Sequence, residues 1–136
     1  MSENWKFVLK ALMYQLEYER DLPTRASRMF EMIVRDPAEA FAPPEAIRQA
    51  VDDALASATD LSAVYPQPYS DADLREVFFA ELARKLHEEL ARSGEPAPQA
   101  GTWAPAGDEE QPGVELSAGD LLPGQAGAWW RLQPAA

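Results

Sequence analysis

Residues 95–136 read EPAPQAGTWAPAGDEEQPGVELSAGDLLPGQAGAWWRLQPAA. Whether this stretch counts as folded body or as appendage sets the fold class. Its mixture of Pro, Gly and Ala offers too little apolar surface to offset the entropy of ordering it, which predicts disorder. The composition changes sharply at this point, since all seven glycines lie at or after Gly94 and six of the twelve prolines follow it. Three of the four tryptophans, Trp103, Trp129 and Trp130, are also here, so docking on the preceding body is the second expectation. Within the stretch, VELSAGDLL is compatible with a short hairpin. The boundary is accordingly placed at Gly94. Residues 1–93 form a helical bundle domain, and residues 94–136 form a Pro/Gly/Ala-rich tail, largely disordered or docked on the bundle.

Upstream of Gly94 apolar residues recur at helical spacing in four segments. Trp5, Val8, Leu9, Leu12, Met13 and Leu16 make one stripe. Pro23 follows, and Thr24 is the expected N-cap of a second helix with Ala26, Met29, Phe30 and Ile33 inside and Arg25, Arg28 and Arg35 on its polar side. A third helix opens at PPEAIRQAV, with Pro44 in its first turn and Ile47, Ala50, Val51, Ala54 and Leu55 inward. The fourth starts at Ser70, where Ser70 and Asp73 form an S-x-x-D capping box. It carries Leu74, Val77, Phe78, Leu82, Leu86 and Leu90 on its apolar face and stops at Gly94. The fold class this predicts is all-α: a compact antiparallel four-helix bundle with a Pro/Gly-rich C-terminal tail.

Charge and inventory narrow the function. A formal net charge of −11 disfavours nucleic acid and anionic membrane, both of which need a positive protein surface, and favours a basic protein partner. The chain has no cysteine, so disulfides, thiol nucleophiles and cysteine metal sites are excluded. No G-x-S-x-G elbow, phosphate loop, G-x-G-x-x-G or H-E-x-x-H motif occurs. The single histidine, His87, falls on a helix face that reads as solvated. No cofactor, metal or enzymatic activity is expected. The N-terminal segment lacks a long apolar run and a cleavage site, so a cytoplasmic protein is expected, monomeric or weakly dimeric when free.

Acidity concentrates in one region. Residues 1–36 carry six acids and six bases, whereas 37–94 carry eleven acids and five bases. Asp52, Asp53, Asp60, Asp71, Asp73 and Glu76 surround the connection that holds Tyr65 and Tyr69. If helices three and four are antiparallel neighbours, these residues share one end of the bundle. Tyrosines would anchor a partner there and carboxylates would steer its approach. The competing structural role is that the tyrosines fold back over the bundle end while the acids cap helices.

Two stretches, LMYQLEYERDLPTRASRMFEMIVRD and VDDALASATDLSAVYPQPYSDADLREVFFAELARKL, carry a resemblance. They resemble the small acidic helical immunity proteins of bacterial toxin systems, the colicin D immunity-like group and the immunity partners of contact-dependent inhibition toxins. The shared pattern is a helix, a short break, a second helix with a central Phe, then an acidic loop with Tyr before a helix that opens on LRE and ends on KL. The resemblance implies stoichiometric neutralisation of a cognate toxin domain, often a nuclease with a basic cleft, by an acidic surface that occludes the active site. An acidic adaptor or chaperone-like module working through the tryptophans of the tail is the alternative, and truncation after residue 94 separates the two.

Overall fold

The computed structural model describes residues 4–14, 21–35, 42–65, 67–107, 112–125 and 127–133. Among them are four helices and a four-stranded antiparallel sheet, so the fold is mixed α/β and the all-α expectation is corrected.

Helix α1, Asn4–Tyr14, buries Trp5, Leu9, Leu12 and Met13 and packs on α3, while Phe7 and Tyr14 project from its outer side. Leu16 lies outside the described residues. Helix α2, Leu22–Arg35, begins three residues earlier than expected, and its N-cap is Asp21 rather than Thr24. The Asp21 carboxylate accepts the Thr24 backbone N–H at 3.0 Å and the Thr24 hydroxyl, which holds it below the usual carboxylate pKa. Pro23 falls in the first turn, where a missing N–H leaves no bond unmade. Ala26, Met29, Phe30 and Ile33 are buried as expected, but so is Arg25. Helix α3, Pro44–Ala56, buries Ile47, Ala50, Val51 and Ala54.

Helix α4 runs without a break over 71–88, as an α-helical turn at Asp71–Asp73, a π-helical stretch at Leu74–Phe79 and α-helix again at Ala80–Glu88. The Ser70 Oγ accepts the Asp73 N–H at 3.1 Å, which is the expected cap. In the π-helical stretch the Ala80 N–H reaches back to the Arg75 carbonyl, five residues away. The wider turn rotates the apolar face. Phe78 and Phe79 both become fully buried, edge to face with centroids 4.6 Å apart, and Val77, expected inside, is exposed. Both α2 and α3 pack against α4.

The helix ends at Glu88 rather than at Gly94 because the next residues are recruited by a strand from the far end of the chain. Strand β1, Leu90–Arg92, pairs with β4, Trp129–Leu132; β4 pairs with β2, Gly101–Pro105; and β2 pairs with β3, Val114–Leu116, giving the order β1-β4-β2-β3. VELSAGDLL is not a hairpin: Val114–Leu116 pairs with β2, and Leu121 forms a bridge with Pro96. Gly94 sits at φ +89° in a turn after β1, where its lack of Cβ allows a conformation other residues avoid.

Each face of the sheet is covered. Opposite residues in an antiparallel ladder share a face, so Leu90, Ala104 and Arg131 point one way and Ala91, Trp103, Trp130 and Leu132 the other. Leu90 and Trp129 join the helical core. On the opposite face Trp103, 0% exposed, packs with Ala91, Ala97 and Leu122 in a second, smaller core. The polar ends of these rings are satisfied locally: Trp130 Nε1 donates to Ser93 Oγ at 2.8 Å, and Trp103 Nε1 to the Gln99 carbonyl at 3.2 Å. Arg131 ties sheet to helices by a two-pronged pair with Glu31 of α2, one arm at 2.8 Å. Both sheet edges are short. On β1 the Glu95 carboxylate accepts the Arg92 N–H at 2.8 Å, and beside β3 the Asp120 carboxylate accepts the Ser117 N–H at 2.8 Å. Such local acceptors occupy edge N–H groups that another chain could pair with. Among the described residues no helix is long and apolar enough to cross a membrane.

Candidate functional site

The described part of the connection between α3 and α4, residues 57–65 and 67–70, is a built structure rather than a slack loop. Asp60 caps a short 3-10 turn, Leu61–Ala63, accepting the Ser62 N–H at 3.0 Å and its hydroxyl at 2.6 Å. Asp71, at the start of α4, accepts the Leu61 N–H across the connection at 2.7 Å. Arg75 closes it. Its Nη1 donates to the Ala54 and Leu55 carbonyls at 3.2 and 2.9 Å, and its Nη2 to the Thr59 carbonyl at 2.9 Å; the same guanidinium lies 3.4 Å from Asp71. One cation thus caps the C-terminus of α3, where helix carbonyls lack internal partners, and anchors the chain that leaves it. The Leu61 N–H and then Arg75 hold the Asp71 carboxyl below its ordinary pKa, so it stays ionised.

The tyrosines are half-buried and packed against the helical core, so neither stands fully in solvent. The Gln67 side chain accepts the Tyr69 N–H at 2.5 Å, and the Arg25 guanidinium lies 5.0 Å from the Tyr69 ring centroid. Outward from this framework stand Asp60, Asp73 and Glu76, all exposed.

The eight residues expected to bind a partner are therefore not one uniform patch. Asp60, Tyr65, Tyr69, Asp71, Asp73 and Glu76 belong to the connection and the first turns of α4. Asp52 faces elsewhere: its carboxylate lies 2.7 Å from His87 Nε2, and His87 is sixteen residues along α4 from Asp71, about 24 Å of helix. Asp53 is exposed on α3 and accepts a hydrogen bond from Gln49 at 2.9 Å. Between residues 52 and 76 six acids face one base, Arg75, which is engaged inward.

Arg75 and Arg25 carry structure that the pattern of acids and tyrosines does not reveal. The signal for Arg75 was present, since a cation four residues after a helix-opening Asp can pair with it, but nothing in the spacing shows that it reaches α3. Arg25 is indistinguishable by sequence from Arg28 and Arg35. Elsewhere, a depression of about 400 Å³ at the β3 edge is lined by Ala100, Gly101, Glu115, Leu116, Ser117 and Asp120, and Asp120 there is already engaged by Ser117. Among the described residues no group of three or more His, Cys, Asp or Glu is placed to hold a metal ion. No family model, curated protein or solved structure matches the chain.

Proposed function

We infer that the protein is a binding protein that neutralises a basic partner, a toxin domain such as a nuclease, by laying the acidic connection between α3 and α4 over the partner's positive cleft in the cytoplasm. The observation that carries it is the one framework in which Asp60, Asp73 and Glu76 are exposed while Arg75, the single base among them, is turned to backbone carbonyls. A fixed array of like charges raises the rate of encounter with an opposite surface, and a pre-formed loop loses little entropy on docking. The partly buried Tyr65 and Tyr69 beside these acids add some apolar contact area. The tail-centred alternative has less to work with, because Trp103 is fully buried and Trp129 and Trp130 are built into β4.

The test takes basic nuclease domains as candidate partners, beginning with any encoded next to this protein. Association rates are measured from low to high salt for the wild type and for Asp60→Asn/Asp73→Asn/Glu76→Gln. The wild-type rate should fall steeply with salt, and the variant should associate about tenfold more slowly at low salt. A rate indifferent to ionic strength, or a variant as fast as the wild type, would overturn the assignment.

A further inference from the structure

Helix α1 buries one face and shows the other. Trp5, Leu9, Leu12 and Met13 lie in the helical core, and at 3.6 residues per turn Phe7 and Tyr14 point the opposite way. They are 75% and 62% exposed, and among the described residues no other aromatic side chain stands in solvent. Single exposed apolar residues need no explanation, but these two share a row. Phe7, Lys10, Ala11 and Tyr14 stand at i, i+3, i+4 and i+7, the four positions that outline one hole on a helix surface. The small Ala11 is its floor, the two rings close its ends about 10 Å apart along the axis, and Lys10 forms one side. Charge sets this helix apart as well. Between Asn4 and Tyr14 it carries Lys6 and Lys10 and no acid, in a chain of net charge −11. Lys6 lies 5.7 Å from the centroid of the Trp5 ring, whereas Lys10 is exposed at the rim of the hole.

We propose that the outer face of α1 docks an acidic amphipathic helix of a protein partner. That helix sets an apolar side chain over Ala11, between the two rings, and a carboxylate beside Lys10. Phe7 and Tyr14 are the anchors, since aromatic side chains supply much contact area for few ordered torsions. A second copy of the chain fits less well, because two-fold pairing through this patch brings Lys10 near its own counterpart and sets −11 against −11. An anionic bilayer is flat and extended, so it meets the acidic surface around the row as well, including α3, on which α1 packs and where Asp53 is exposed. A single helix covers the row alone. The site does not depend on whether the acidic connection engages a basic cleft.

The experiment adds a stapled helical peptide, with leucine along its apolar stripe and glutamate on both sides of it, to the full-length chain at about 0.15 M salt, where charges beyond about 8 Å are screened. The backbone amide signals of Phe7, Lys10, Ala11 and Tyr14 are followed by NMR and should shift saturably. The same peptide with lysine in place of glutamate should bind this face about fivefold more weakly, and Lys10→Glu should invert that preference. Phe7→Ser/Tyr14→Ser, at two exposed positions, should leave thermal unfolding unchanged and weaken the glutamate peptide at least about tenfold. Sedimentation equilibrium tests for a second copy, and cosedimentation with phosphatidylcholine vesicles, with and without phosphatidylserine, tests for a membrane. Dimerisation or vesicle binding that Phe7→Ser/Tyr14→Ser abolishes gives the face to that occupant and overturns the proposal. So do α1 signals that stay still up to about 1 mM glutamate peptide, a lysine peptide bound as tightly as the glutamate one, a preference unchanged by Lys10→Glu, or a double variant that binds like the wild type.

Discussion

Replacing Arg75 by alanine should loosen the connection between α3 and α4 while leaving the fold in place. Three carbonyls, on Ala54, Leu55 and Thr59, lose a charged donor at once. Hydrogen bonds to charged groups contribute up to about 3 kcal/mol each, but the Arg75 side chain is 24% exposed, so water can reach part of what it vacates. Taking about 1 kcal/mol per carbonyl gives a loss of about 3 kcal/mol, and for a chain of this size about 9–12 °C in Tm. Arg75→Lys keeps the charge but not the planar fork, and should lose about half as much. Thermal and urea unfolding followed by circular dichroism give the magnitude. Amide exchange at Leu61, whose N–H is held by Asp71, reports the connection itself. Arg75→Ala melting within about 2 °C of the wild type, with Leu61 protection unchanged, would refute the assignment of Arg75 as the clamp.

Two further outcomes are expected. Hydrogen bonding from Arg131 holds the Glu31 carboxyl below its ordinary pKa, so its contribution to stability is complete above that value and lost as the pH falls through the lowered one. Arg131→Met should therefore cost about 1–2 kcal/mol at pH 7, discounted because Glu31 is partly exposed, and its gap from the wild type should narrow below about pH 4; urea midpoints across pH 3–7 check both. Trp103→Ala removes the largest side chain of the small sheet core and should cost about 3–5 kcal/mol, with loss of near-UV dichroism and of protection on β2 and β4 before the helices unfold.

Much of the helical half was legible because burial there follows a single local period. The stripes of α1, α2 and α3 and the Ser70 cap lie where the spacing put them. Departures occur where the period changes or a distant partner decides. The π-helical stretch exchanges Val77 for Phe79 on the inner face, and no residue in LREVFF announces a wider turn. Leu90 fits a continuing helical stripe as well as it fits a strand, and the outcome is set by Trp129–Leu132, about forty residues on. Composition misleads over 95–136 for a related reason. Its glycines and prolines punctuate strands three to five residues long, too short to show alternation, and the apolar surface that orders them is spread over Ala91, Ala97, Trp103 and Leu122, separated in sequence. At the candidate site the acids and tyrosines were visible, but not their division of labour. Asp60 and Asp71 hold backbone N–H groups and Asp52 is drawn to His87, partnerships that only the packed chain creates.

The position of β4 between β1 and β2 has a bearing on how the protein is made. Strand β4 leaves the ribosome after both of the strands it joins, so β1, already attached to the end of α4, must wait for it with its inner edge unfilled. Helical contacts such as those of α3 with α4 can form earlier in synthesis, whereas the sheet closes in one late step that joins residues 90 and 131. A pause in translation between Arg92 and Trp129 would hold the chain with its helices gathered and Leu90, Ala91 and Trp103 uncovered, the interval in which a nascent chain is most exposed to aggregation or proteolysis.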